Sequence, residues 1–251
     1  MKALILAAGY STRLYPLTLH TPKALLPIGS GTMMDFLAHE LHAIQALSEV
    51  LVVTNARFFD QFEAWAARAR AQYAPLRFTV LNDGTRSDQE KLGAVGDIQF
   101  SIAQAGIDED LLVAASDDFF TFPLTQFTDD FARHGRDLLL GTRIASVEDL
   151  RRFAVATLDP DGCVTSLIEK PQDPPSDIAI YAVYLYRKDT LALIKQYLDE
   201  GGAPDAPGHF PEWLYKRREV RVYQFTGECI DIGTPAAYEM VCARFKGEEH
   251  G

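Results

Sequence analysis

The sequence predicts an α/β protein, with a Rossmann-like, doubly wound mixed sheet in its first part and a β-rich second part. Three observations carry this. Short apolar runs and amphipathic stretches alternate between residues 2 and 143, the pattern of strands joined by crossover helices. The alternation then gives way to "FAVATLDPDGCVTSLIEK", which reads as two strands about an Asp161-Gly162 turn. The first strand, in "ALILAA", runs straight into a loop holding Gly9, Ser11 and Thr12.

Each element follows from its residues. Residues 2–8 are continuously apolar between polar boundaries, as in a buried parallel strand. "MMDFLAHELHAIQAL" (33–47) places apolar residues at helical spacing, and "EVLVVTN" (49–55) is β-rich. A helix around 58–73 precedes the strand "RFTVLND", one from about 94 to 105 precedes "DLLVAASDD", and one near 127–134 precedes "DLLLGTR". "PQDPPSD" (171–177) is a stiff polar loop before the strand "IAIYAVYLY". Asp189 is placed to cap a helix through about 198, and "GGAPDAPG" (201–208) reads as a mobile connection. The strands "VRVYQF" and "ECIDIG" follow, and Thr234 caps a last helix with Pro235 at its first position. With no internal repeat or low-complexity tail, a single domain over 1–251 is expected, with halves at about 1–143 and about 144–251.

Composition narrows the function classes. A chain of 251 residues, 47% hydrophobic and 24% charged, can bury a large core. The 24 basic against 35 acidic residues argue against a general nucleic-acid surface. No stretch approaches the roughly 18 apolar residues a membrane span needs, and "ALILAA" is too short for a signal peptide. Cys163, Cys229 and Cys242 lack metal-ligand spacing, which fits a reduced, cytoplasmic chain.

Against that acidic background, the first 34 residues contain no carboxylate, yet carry Lys2, Arg13 and Lys23. A loop of small residues after a strand presents N–H groups and hydroxyls to an anion. Two cations beside it suit a polyphosphate. The spacing is neither a P-loop nor G-x-G-x-x-G, and a plain strand-to-helix turn is the alternative. Further on, "LLVAASDDFF" ends an apolar strand in Asp117 and Asp118, at the strand end where ligands gather in open α/β sheets, although a turn or cap accounts for one of the pair.

"LAAGYSTRLYPLTLHTPKALLPIG" resembles the signature of the sugar-phosphate nucleotidyltransferases, approximately L-A-A/G-G-x-G-T-R-L-x-P-x-T followed by P-K, with Ser11 where that family usually has Gly. Glucose-1-phosphate thymidylyltransferases and mannose-1-phosphate guanylyltransferases belong to this family. The resemblance implies a GT-A-like nucleotidyltransferase fold, with a nucleotide-binding first half and an acceptor-binding second half. It places Leu6, Ala7, Ala8, Gly9, Ser11 and Thr12 around the nucleotide. It gives Arg13 the departing pyrophosphate and Lys23 the α-phosphate and incoming phosphate. Asp117 matches the first Asp of the family's "GDN/GDD", on the nucleotide side and as a magnesium ligand, with Asp118 its weaker neighbour. Asp231 in "CIDIGTP" matches the second metal-binding Asp, so Mg²⁺ is the implied cofactor. The base would be read around Leu92-Gly93-Ala94, with Asn82 near where a Gln often contacts it. "LIEKP" resembles "EKP", which brings Glu169 to sugar hydroxyls and Lys170 to the sugar phosphate. Phe153-Ala154 stands where Tyr-Gly is frequent and Ala182 at another frequent Gly, each adding a methyl to the acceptor wall.

The implied reaction is attack by a phosphate-monoester oxygen on the α-phosphorus of a nucleoside triphosphate, releasing pyrophosphate. With its second pKa at about 6, the monoester is already ionised and needs no general base. This accords with six histidines that form no constellation, His20 among them facing water. The implied partners are a nucleoside triphosphate and a phosphorylated acceptor, a sugar 1-phosphate first, with homo-oligomerisation open and neither nucleic acid nor membrane involved. The altered glycines keep one alternative in view, a cytidylyltransferase with an acceptor such as phosphocholine; a second, of a different class, is a catalytically silent domain that binds nucleotide or sugar nucleotide and regulates a partner. No left-handed β-helix repeat follows, so a second, acyltransferase activity is not expected.

Overall fold

The computed structural model describes residues 1–245. It is a mixed α/β structure in which two compact units are each assembled from separate stretches: residues 1–91, 115–124 and 227–245, and residues 92–114 with 125–226.

The first unit is built on three parallel strands, Lys2–Leu6, Glu49–Thr54 and Arg77–Asn82. Lys2 pairs with Glu49 and Leu6 with Val53, and Glu49 pairs in turn with Arg77. Ala3, Leu4 and Ile5 are fully buried, as are Val50, Val52 and Val53, so both faces of these strands are covered. The helices Met33–His42 and Phe59–Gln72 connect them. The apolar spacing expected to run helical to residue 47 outlasts the helix, because Ile44 and Leu47 are buried from hydrogen-bonded turns after His42. The helix Met33–His42 starts in a capping box: the Thr32 hydroxyl accepts from the Asp35 N–H, and Asp35 Oδ2 accepts from the Thr32 N–H at 2.8 Å. The first acidic residue of the chain is thereby used locally, and its other oxygen accepts from the Trp65 indole at 2.8 Å.

A short antiparallel pair, Asp118–Phe120 with Cys229–Asp231, completes this unit beside the helix Pro235–Arg244. Ile28, Met33, Phe119, Ile232 and Val241 form its small core. Thr234 caps the last helix as expected, its hydroxyl accepting from the Ala237 N–H with Pro235 at the first position.

The second unit centres on the strand Ile178–Tyr186. Its later residues pair antiparallel with the strand Leu111–Ala115 and its earlier ones with Ala154–Leu158. It also pairs with Asp137–Arg143, with a register shift between Tyr181 and Tyr184. Ala154–Leu158 and Val164–Glu169 form the expected hairpin, Gly162 taking φ +80° at its turn. Val220–Gln224 runs parallel to Asp137–Arg143. The helices Ala94–Ala105, Leu191–Asp199 and His209–Leu214 belong here.

Two sequence expectations change in this unit. Asp189 does not cap the following helix. It lies in a 3-10 turn, Lys188–Thr190, and its carboxylate instead binds Arg218 Nη1 at 2.7 Å and Arg187 Nε at 3.1 Å. Two guanidinium groups outcompete backbone amides for one carboxylate. The 201–208 connection is tied down: the Pro204 and Asp205 carbonyls accept from the Val95 and Ala94 N–H groups, and the Tyr197 hydroxyl donates to the Ala203 carbonyl at 2.9 Å. These carbonyls satisfy orphan amides of a helix start. Among the described residues no helix is long and apolar enough to cross a membrane.

Candidate active site

Beyond Leu6 the chain leaves the first strand into the small-residue loop. Asn55, fully buried at the end of the neighbouring strand, donates to the Ala8 carbonyl at 2.8 Å, and the Thr54 hydroxyl donates to that of Ala7. Sequence reading passed over Asn55, although a polar residue ending an apolar parallel strand was a signal. Ser11 takes the left-handed conformation, φ 48° and ψ 43°, which explains why glycine is at ease in this position. Its carbonyl is pinned by the hydroxyl of buried Thr18 at 2.8 Å and by the Leu14 N–H. Thr12 and Arg13 follow in a single 3-10 turn.

The cations of the carboxylate-free segment have distinct settings. Lys2 pairs with Glu49, on the far side of the strand from the loop in sequence terms, at 3.0 Å. Lys23 opens another 3-10 turn after Pro22 and binds Asp117 by a short ion pair, most of its side chain buried. Arg13 is exposed and has no ion-pair partner among the described residues.

Asp117 lies in the turn after the strand Leu111–Ala115, and Asp118 opens the next strand. Asp231 pairs with Asp118 across the short ladder, and the Ile232 N–H donates to the Asp117 carbonyl at 3.0 Å. This register brings together carboxylates far apart in sequence: oxygens of Asp117, Asp118 and Asp231 lie within 4.8 Å of one another. The Cys229 thiol is pushed well above its ordinary range by desolvation and then by the negative field of Asp118, Asp231 and Asp117. Three hard oxygen donors, one of them also paired with an ammonium, fit a hard divalent cation. Gly233 has a steric reason: a Cβ there would meet Asp231 Oδ2 at 2.8 Å.

In the second unit, Glu169 ends its strand opposite Ala154, and Lys170 takes φ +47°. The Glu169 side chain is only 7% exposed, with its carboxylate 3.5 Å from Lys170 Nζ. Desolvation raises the Glu169 carboxyl above its usual range against the opposing fields of Lys170 and His209. Ala154 is buried, and its Cβ lies 3.1 Å from where a Gly208 Cβ would stand. Ala182 is half-buried and sits at the register shift of the central strand. His209 and Glu212, which sequence reading left out, join this corner from the following helix.

Gly93 precedes the helix Ala94–Ala105 with φ +80°, and a Cβ on it would meet the Pro204 carbonyl oxygen at 2.5 Å. Asn82, exposed at the end of its strand in the first unit, accepts from the Gly84 N–H at 2.9 Å in a local turn. His20 lies in the loop as expected, its carbonyl accepting from Gln61.

A parallel-strand unit thus carries a small-residue loop, an arginine with no ion-pair partner among the described residues, and a cluster of three carboxylates. The chain belongs to the nucleotidyl transferase family, whose model matches residues 2–246. It is 28% identical over 238 residues to the mannose-1-phosphate guanylyltransferase catalytic subunit beta of Drosophila melanogaster, covering 93% of this chain and 60% of that protein. It is 29% identical over 187 residues to the glucose-1-phosphate thymidylyltransferase of Streptomyces antibioticus, covering 74% of this chain and 49% of that one. The chain spans about three fifths of the length of the first curated relatives it matches. The fold matches a solved UDP-glucose pyrophosphorylase complexed with UDP-glucose, with a TM-score of 0.84 at 22% identity, over 98% of this chain and 99% of that one.

Proposed function

We propose that this protein transfers a nucleoside monophosphate from a nucleoside triphosphate to a sugar 1-phosphate, giving a nucleoside diphosphate sugar and pyrophosphate. The observation that carries the proposal is the meeting of Lys23 with Asp117 inside the Asp117–Asp118–Asp231 cluster, in the unit whose loop carries exposed Arg13. An acceptor phosphate oxygen forms a bond to the α-phosphorus as the bond from that phosphorus to the bridging oxygen breaks, and the electron pair leaves with pyrophosphate. Arg13 holds the departing pyrophosphate, and Lys23 spans the α-phosphate and the incoming phosphate. The small-residue loop from Leu6 to Thr12 lies along the nucleotide, whose base is read near Gly93 and Asn82. Asp117 and Asp231 would hold Mg²⁺, which neutralises phosphate charge when bound. Glu169 and Lys170 bind the acceptor, against a wall that includes Ala154 and Ala182. Positioning and charge neutralisation provide the catalysis, as in phosphoryl transfer generally. The odd number and scattered placement of the three cysteines support a cytoplasmic setting.

The test is a screen of nucleoside triphosphates against hexose 1-phosphates and phosphocholine, read as pyrophosphate release with and without magnesium. Release with a hexose 1-phosphate supports the proposal. Release only with phosphocholine moves the acceptor to the alternative class, and nucleotide-sugar binding without release in any combination replaces the enzyme with a sensing domain.

A further inference from the structure

We infer that Glu212 is a positioning residue that fixes the Glu169–Lys170 corner for the acceptor, an inference that rests on the proposed function. At Glu169 the hairpin ladder ends: its partner Ala154 opens the facing strand, and the next residue turns away in the left-handed region. That conformation is costly for a residue with a Cβ, so contacts outside the turn must hold it. Two backbone bonds do so. The Lys170 N–H donates to the Phe153 carbonyl at 3.1 Å, and the Glu169 N–H donates to Glu212 Oε2 at 3.2 Å. The first comes from the hairpin itself. The second comes from the helix His209–Leu214 and continues a ladder that has run out of strand.

The same helix start confines the Glu169 side chain. Its carboxylate lies against Gly208 so closely that any Cβ there would collide with it. Glu169 is thus held from two sides by one short segment, its N–H by Glu212 Oε2 and its carboxylate against Gly208. His209 Nδ1, 3.9 Å from Glu212 Oε2, faces the same carboxylate. Glu212 thus sets the direction of the Glu169 carboxylate and the Lys170 ammonium together, the two groups assigned to sugar hydroxyls and sugar phosphate.

Three variants test this: E212A removes the acceptor, E212D shortens its reach while keeping its charge, and E212Q keeps an oxygen at the same reach. Pyrophosphate release is measured with glucose 1-phosphate and mannose 1-phosphate, and amide hydrogen exchange is measured at Glu169 and Lys170. In E212A and E212D the KM for the hexose 1-phosphate should rise about tenfold, with kcat and the nucleotide KM within about twofold. E212Q should stay near the unmodified protein, and exchange at Glu169 should quicken in the first two variants only. If E212A does not fold, E212D carries the comparison. An unchanged acceptor KM, an equal rise in both KM values, or E212Q as impaired as E212A overturns the inference. If the unmodified protein releases no pyrophosphate, the proposed function fails instead. The Glu169 exchange then decides the Glu212 contact alone, and unchanged exchange in E212A overturns it.

Discussion

Arg13 and Gly233 show how single residues divide the work. Arg13 is exposed and contributes nothing to a core, so Arg13→Ala is expected to leave the unfolding midpoint unchanged while lowering turnover by about 10²- to 10³-fold, the loss typical of a transition-state charge contact. Near-normal turnover in that variant would remove Arg13 from the mechanism. Gly233 acts through space, since its bare Cα leaves room for the Asp231 carboxylate. Gly233→Ala should displace that carboxylate and raise the magnesium concentration for half-maximal activity at least about tenfold, with the far-ultraviolet circular dichroism unchanged. An unaltered magnesium titration would mean that Asp231 does not hold the ion. The "DIGTP" run then resolves into separate duties: a carboxylate, a clearance, a helix cap and a first-turn proline.

Among the elements, the helix Met33–His42 depends most on one side chain. Asp35 closes its capping box and also accepts from the indole of Trp65, a residue 1% exposed. Removing it as Asp35→Ala costs a cap, about 1 kcal/mol, and strands a buried N–H, about 1–3 kcal/mol. The expected total is about 2–4 kcal/mol, read from the urea midpoint. A loss under about 0.5 kcal/mol would show that neither bond is strong. Sequence reading passed over the Thr32–Asp35 cap, and the indole contact was hidden from it because Trp65 lies on a different helix.

At the scale of the whole molecule, the response to pH is shaped by buried Asp137, on the Asp137–Arg143 strand. Desolvation raises its carboxyl above the ordinary range, outweighing the Arg187 N–H, the Thr190 hydroxyl and the field of Arg218. A raised folded value means that the stabilising share belongs to the protonated form. It is fully present below the ordinary carboxyl value, about 3.9, and is lost as pH rises through the raised one. Asp137→Asn cannot ionise, and Thr190 can turn its hydroxyl to accept from the amide. The thermal midpoint of the unmodified protein should therefore fall relative to Asp137→Asn across mildly acidic pH. Parallel curves would show that Asp137 titrates at its unfolded value.

What the sequence by itself determined was whatever depends on neighbours along the chain. Local pattern placed the helix Ala94–Ala105, the Asp161-Gly162 turn placed the hairpin after residue 153, and the order of strands and helices carried the mixed α/β class. The loop from Gly9 to Arg13 and the "DIGTP" run stood out through their resemblance to a family signature, which is carried by residues adjacent in the chain. What only the tertiary structure decided was every meeting across long separations. Asp231 reaches Asp117 and Asp118 through one short ladder, and Glu212 reaches the strand end at Glu169 from a helix some forty residues on. Asp189 abandons a cap for two arginines, and the 201–208 connection is held by the start of a helix about a hundred residues earlier. The reason is physical: periodicity records which face of an element avoids water, whereas the partner a carboxylate or amide finds depends on what folding brings within about 3 Å of it.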